Sequence, residues 1–203
     1  MATTSPLENP SSDPRRRPWT REEYHRAAEL GLFRPDEKLE LIEGEIIQKA
    51  SPQNAPHTTA IRKVARALEA AFDQEHEVRY QMPLIVADIS EPEPDILVLR
   101  EGIEAYEDRQ PATKDVLLIV EVSESTLAFD RRTKSRMYAR AGIEEYWIVN
   151  LVERRLEVRR VPQPDGSYGG VTVYDEAASV APLAAPGSTL RVSELLPTKK
   201  QSQ

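Results

Sequence analysis

No cysteine occurs among the 203 residues. That excludes a disulfide framework and every thiolate-bound metal, zinc ribbons included, and it suits a reducing cytoplasm. No apolar run approaches the roughly 18–20 residues that a membrane span needs. The N-terminus lacks the apolar core of a secretory signal. There is no glycine-rich phosphate loop and no His-Glu-x-x-His, which removes P-loop nucleotide hydrolysis and zinc proteolysis. Positive charge is also short. The chain has 27 basic and 34 acidic residues and a formal charge of −7, the reverse of the basic footprint usual in DNA-binding domains. Aromatic residues make up only 6%, and no stretch interleaves them with bases as a single-strand binder would.

What is present suits one domain with tails, large enough to bury a core without staples. Residues 1–18 hold Pro6, Pro10, Pro14 and Pro18 and the consecutive bases Arg15, Arg16 and Arg17. They read as a disordered N-terminal arm, residues 19–197 as a single domain, and residues 198–203 as a mobile tail. Charge is unevenly spread. Residues 88–108 carry eight acids against one base, whereas residues 129–142 carry five bases against one acid. Either run alone is usually a solvated face, but together they suit a metal site beside a phosphate-facing surface.

Thr20, followed by Glu22 and Glu23, predicts an N-capped helix to Leu30, closed by Gly31. Leu39, Leu41, Ile46 and Ile47 flank Glu43-Gly44 and predict a hairpin. Pro52 to Pro56 reads as a loop. Ile61, Val64, Ala65, Leu68, Ala71 and Phe72 have helical spacing, so a helix is expected over 57–74. Strands are expected over 77–81, 84–87, 95–99 and 116–122, the last apolar enough to be central. A helix over 129–141, ending at Gly142, should lead to strands over 145–150 and 156–161. Asp165-Gly166 then turns the chain into a strand over 168–174, and 189–196 adds a short strand and a helical turn. Tyr146-Trp147-Ile148-Val149 belongs to the core. The order predicts an α/β (α+β) fold: a mixed central sheet flanked by helices, with an N-terminal helix and hairpin.

The chemistry starts at Glu121, a carboxylate inside the apolar run Val-Leu-Leu-Ile-Val-Glu-Val. Such a group is costly unless it is paired, bound to metal, or at a strand end emerging into solvent. Pro94 cannot donate to a ladder, so it marks a strand start and puts Asp95 at its mouth. Pro94-Asp95, followed after an interval by Glu121-Val122-Ser123, resembles the PD-(D/E)XK nuclease signature. In that superfamily two acids bind Mg²⁺ and a lysine positions or activates the attacking water. The lysine position two residues after the glutamate is Ser123 here. Lys134 is the natural substitute, spaced by four from Asp130 and Tyr138 on one helical face; the alternative is a lysine merely paired with Asp130.

The resemblance narrows with Glu40-Leu-Ile-Glu-Gly-Glu-Ile-Ile, Ser51-Pro52, His57, Pro94-Asp95-Ile-Leu-Val, Ile119-Val-Glu121-Val-Ser, Asp130, Lys134, Tyr138 and Gly142-Ile-Glu-Glu-Tyr-Trp-Ile-Val. From about Trp19 to Val161 the chain resembles the Uma-two family of restriction-endonuclease-like proteins. The resemblance implies a Mg²⁺-dependent DNA endonuclease, with Mn²⁺ as a possible substitute. Asp95 and Glu121 would be the metal ligands, Lys134 the migrated lysine and Glu40 an extra acid directed into the site, although alternation along Leu39-Glu40-Leu41 would equally turn that acid away from the core. His57 and Ser123 become candidate accessory residues beside Asp130 and Tyr138, and Arg131, Arg132 and Arg136 candidate phosphate contacts. Glu124, standing where the family has proline, is expected to matter little. A homodimer is expected by analogy with nucleases that cut both strands. The rival expectation is a catalytically inactive nuclease-fold module that binds DNA or a protein partner; the acidic charge and the displaced lysine favour it.

Overall fold

The apolar run Val116–Val122 lies at the heart of the sheet. In the computed structural model, which describes residues 16–49 and 54–199, it forms most of β5 (Val116–Ser123). Before it come α1 (Arg21–Glu29), the hairpin β1 (Leu39–Ile42) and β2 (Glu45–Gln48), the long helix α2 (Ala55–Ala71), β3 (Glu77–Tyr80) and β4 (Ile96–Leu99). After it come α3 (Leu127–Phe129), a π-helical turn (Asp130–Lys134) and α4 (Ser135–Arg140). The strands β6 (Glu145–Asn150), β7 (Arg155–Pro162) and β8 (Tyr168–Tyr174) follow, then β9 (Ser179–Val180), β10 (Leu190–Arg191) and α5 (Val192–Leu195). The main sheet runs β3-β4-β5-β6-β7-β8. Among the described strands of that sheet only the pair β5 and β6 is parallel, and the α3–α4 crossover supplies the long connection such a pair needs. The expected mixed sheet with flanking helices is therefore present.

Period-two alternation sorts the sheet into two apolar layers. Leu118, Val120, Val122, Trp147, Val149 and Val158 pack with Ile61, Val64 and Leu68 of α2 and with Leu195 of α5. Leu97, Ile119, Tyr146 and Ile148 face the other way, against Met137 and Tyr138 of α4. Along β5, Glu121 and Ser123 share this second face with Ile119, which turns the carboxylate toward the crossover helices.

Local chemistry explains the helix ends. Thr20 and Glu23 form a reciprocal capping box at α1. Asn54 caps α2 through the backbone N–H of His57, 3.0 Å away, and Pro56 occupies its first turn, where no N–H is required. The hairpin turns at Glu43-Gly44, and Gly44 has φ +81°. A Cβ there would stand 2.3 Å from the Cβ of Pro18, so the residue must be glycine both for its backbone and for the segment laid across it. That segment is tied down by Trp19 N–H donating to Gly44 C=O at 2.9 Å.

Three expectations change. Residues 84–87 form isolated bridges, Ile85 with Ala112 and Ala87 with Ser90, and no strand; Pro83 and the tight Ala87–Ser90 turn interrupt any ladder. The helix over 129–141 begins at Leu127 and contains the π-turn, where Ser135 N–H reaches back to Asp130 C=O. Helix α2 absorbs Ala55 and Pro56, which the loop expectation had excluded, and ends at Ala71, short of the expected residue 74. Residues 1–15 of the expected arm and 200–203 of the expected tail lie outside the described residues. Arg16 and Arg17, from the arm, pair with Glu45 and Glu23.

Candidate active site

The antiparallel register of β4 and β5 builds the acidic pair. Ile96 stands opposite Val120 and Leu97 opposite Ile119, so one step beyond the ladder Asp95 comes across from Glu121. Asp95 Oδ2 accepts the N–H of Val122 at 2.9 Å, which fixes the carboxylate at the strand mouth. His57, in the first turn of α2, brings its Nε2 to 3.7 Å from the same oxygen. Burial pushes the Asp95 carboxyl up, but His57, the Val122 N–H and Lys134 outweigh it and hold it below its ordinary value.

Glu121 is 4% exposed. Its Oε1 accepts from Lys134 Nζ at 2.9 Å and from Tyr138 OH at 3.1 Å. Lys134 Nζ is also 3.2 Å from Glu40 Oε1, while Glu40 Oε2 accepts the N–H of Glu93 at 3.0 Å. Asp130 pairs with hydroxyls: Ser123 Oγ and Thr126 Oγ1 each donate to its Oδ2 at 2.7 Å. The i→i+5 turn thus serves both ends of its segment, turning Asp130 toward the end of β5 and Lys134 toward Glu121. π-turns of this kind cluster at functional sites.

Four buried carboxylates, Glu40, Asp95, Glu121 and Asp130, surround one buried ammonium. Burial, with the neighbouring charges of Asp95, Asp130 and Glu40, raises Glu121 to about 8 despite Lys134. Burial alone would lower Lys134, but Glu121, Glu40 and Asp130 more than reverse it and keep the ammonium charged. Burial and Glu121 hold the Tyr138 hydroxyl far above its ordinary range, so it acts as a donor.

These groups open into a cavity of about 580 Å³ lined by Glu40, His57, Asp95, Glu121, Asp130 and Lys134 among others. Among the described residues no cluster of three or more His, Cys, Asp or Glu side chains is spaced to enclose a metal by itself. The donors that face the cavity do suit a hard, largely hydrated cation, since Mg²⁺ is typically held by one or two carboxylates and completes its shell with water. Both hydrogen bonds that Glu121 accepts fall on Oε1, which leaves Oε2 for such an ion. The surplus of acid over base favours one as well.

The fold brings Glu40, His57, Asp95, Glu121, Ser123, Asp130, Lys134 and Tyr138 together. The three arginines of the crossover stand apart from this group. Arg131 is bound through two nitrogens to Glu157, at 2.6 and 3.0 Å. Arg136 reaches Glu43 at 2.7 Å, and Arg132 is exposed. None of the three lines the cavity. The sequence reading also passed over Asn54, Thr126, Lys49 and Gln81. Glu124, expected to matter little, accepts Asn54 Nδ2 at 2.6 Å and lines the cavity. It ties the start of α2 to the end of β5. Gln81 has φ +50°, and its Nε2 lies 3.5 Å from Asp95 Oδ1. Nothing in a lone glutamine announces that conformation.

No curated protein matches the chain in sequence. Among solved structures, the crystal structure described as "a putative nuclease belonging to DUF820" from Anabaena variabilis ATCC 29413 is similar, with a TM-score of 0.66 over 88% of this chain and 97% of that one. At 20% identity that likeness speaks for the fold, which is nuclease-like. A model of the Uma2 family, described as "Putative restriction endonuclease", matches residues 21–193. That span contains every residue placed around the cavity, and the chain belongs to the Uma2 family.

Proposed function

We propose that the protein is a divalent-metal-dependent nuclease that hydrolyses phosphodiester bonds in DNA, with Mg²⁺ as its ion and Mn²⁺ as a substitute. The observation that carries this reading is the meeting of Lys134 with Glu121 at 2.9 Å in a cavity that Asp95 and Glu40 also line. That meeting supports Lys134 as the displaced lysine of the site. Asp95 and Glu121 are the ligands. A cation bound there neutralises the phosphate and lowers the pKa of the attacking water.

The side chains do the rest. Val122 N–H and His57 orient Asp95. Tyr138 OH fixes Glu121 from behind. Lys134 has three N–H bonds; one goes to Glu121, Glu40 holds the ammonium as an ion pair, and a remaining N–H orients a water or a phosphate oxygen. Glu40 keeps Lys134 charged and aimed. The protein acts as a homodimer, and sedimentation should return twice the chain mass.

Incubating supercoiled plasmid and single-stranded DNA with Mg²⁺, Mn²⁺ or a chelator tests the reading. Nicking or degradation with metal, absent with chelator and absent for Asp95→Ala, is the expected result. An intact plasmid and an intact single strand under every metal condition overturn it. The rival, an inactive nuclease-fold module, draws support from the engagement of Arg131 and Arg136 with carboxylates. It predicts DNA binding that Lys134→Ala leaves unchanged and no cutting by any variant.

A further inference from the structure

Behind the open end of the β1–β2 hairpin lies a second cavity of about 620 Å³. Its wall includes Tyr24 of α1, Phe33, Lys38, Lys49, Gln81 and Glu93. Lys49 lines both this cavity and the candidate active site, and Gln81 reaches the Asp95 carboxylate from the same wall. Tyr24 and Phe33 are half-buried, with ring centroids 5.6 Å apart, and Tyr24 is pinned by its hydroxyl donating to Leu39 C=O at 3.1 Å. Lys38 is exposed and has no ion pair among the described residues. Lys49 Nζ donates to Glu93 C=O at 2.6 Å and lies 3.6 Å from its carboxylate, so one lysine is poised on the ridge between the cavities and the other stands at the outer rim.

Aromatic rings beside lysines are the elements of a single-strand subsite: the rings take a base by stacking and the ammonium groups take its phosphates. No segment of the sequence interleaves these residue types; the fold assembles them from α1, the loop after it and the two ends of the hairpin. We propose that this cavity holds an unpaired nucleotide next to the scissile phosphate, its base against Phe33 and Tyr24 and its backbone crossing Lys49 into the active site. The proposal deepens the nuclease reading and rests on it for the direction of the strand. It makes the preferred substrate single-stranded or locally opened DNA, since a base held in a duplex stack does not reach the rings.

The test is fluorescence anisotropy with a labelled oligothymidylate eight nucleotides long and a hairpin duplex of equal length, in Mg²⁺. A Glu121→Gln background keeps the strand intact whether or not the wild type cuts. Phe33→Leu keeps apolar bulk and removes the π-face; it should weaken binding of the unpaired strand about ten-fold and leave duplex binding unchanged. Lys49→Gln should lower the salt slope for the unpaired strand by about 0.7, the loss of one phosphate contact. Melting curves confirm that each variant is folded, and Lys38→Gln gives a second, exposed probe, expected to lower the same slope. Unchanged affinity and slope in Phe33→Leu, Lys49→Gln and Lys38→Gln overturn the proposal, as does failure of the parent to bind the unpaired strand. Plasmid cutting by the wild type judges the nuclease reading separately: binding that follows these variants without any cutting sinks that reading and keeps the subsite.

Discussion

Lys134 and Glu121 depend on each other unequally. Removing the ammonium with Lys134→Met leaves the buried Glu121 and Glu40 without their cation, and breaking a buried pair from one side typically costs about 3 kcal/mol or more. Urea denaturation in chelator should show that loss, together with the loss of cutting. Glu121→Gln removes one surplus acid and should be tolerated far better in the fold while still abolishing metal-dependent cleavage. The pH dependence follows from the raised carboxyl. Because Glu121 titrates at about 8 when folded, above its ordinary 4.5, its contribution to stability is complete below about pH 4.5 and is lost as pH rises through about 8. The melting temperature of the metal-free protein should therefore fall between pH 6 and 9, and the fall should be shallower in Glu121→Gln. Parallel curves for the two proteins would show that Glu121 ionises normally.

At the scale of elements, the junction of α2 with β5 invites a direct test. Asn54 caps α2 through His57 N–H and grips Glu124 across the cavity mouth. Asn54→Ala should cost about 1 kcal/mol of stability, the usual worth of an N-cap, and should also weaken metal binding by freeing His57, measured by calorimetry with Mn²⁺. A stability loss with unchanged metal affinity would confine Asn54 to capping. Much of the element plan was legible in the sequence, because Thr20, Gly44, Gly142 and the apolar periodicities act locally. Asp95 and Glu121 were legible for a similar reason: a proline and an apolar run mark their places. Glu124 and Gln81 were not, since their partners are Asn54 and Asp95, far along the chain. The π-turn left no trace either. The spacing Asp130, Lys134, Tyr138 suits an α-helix equally well, and the contacts with Ser123 and Glu121 that accompany the wider turn come from β5. The partners of Arg131 and Arg136 were not legible either, because charge runs do not reveal their counter-ions, and Glu157 and Glu43 arrive from other elements.

For the whole molecule, an acidic chain with a buried acidic cluster should be stabilised by the ion it binds. A ligand selective for the native state at a hundred times its dissociation constant adds about 2.7 kcal/mol. Mg²⁺ or Mn²⁺ should raise the melting temperature of the wild type and leave Asp95→Ala unmoved; an equal rise in both would place the ion elsewhere. The hairpin that carries Glu40 has a wider bearing. It stands outside the six-stranded sheet and is held by the bridge Leu41–Glu91 and by the strap of Pro18 and Trp19 across Gly44. Gly44→Ala lifts that strap and slackens the carrier of an acid several residues away. In a saturation screen for loss of cutting, Gly44 would rank beside Asp95 although it meets no substrate, and a truncation that starts at Thr20 would score as inactive with its acids and its lysine all in place.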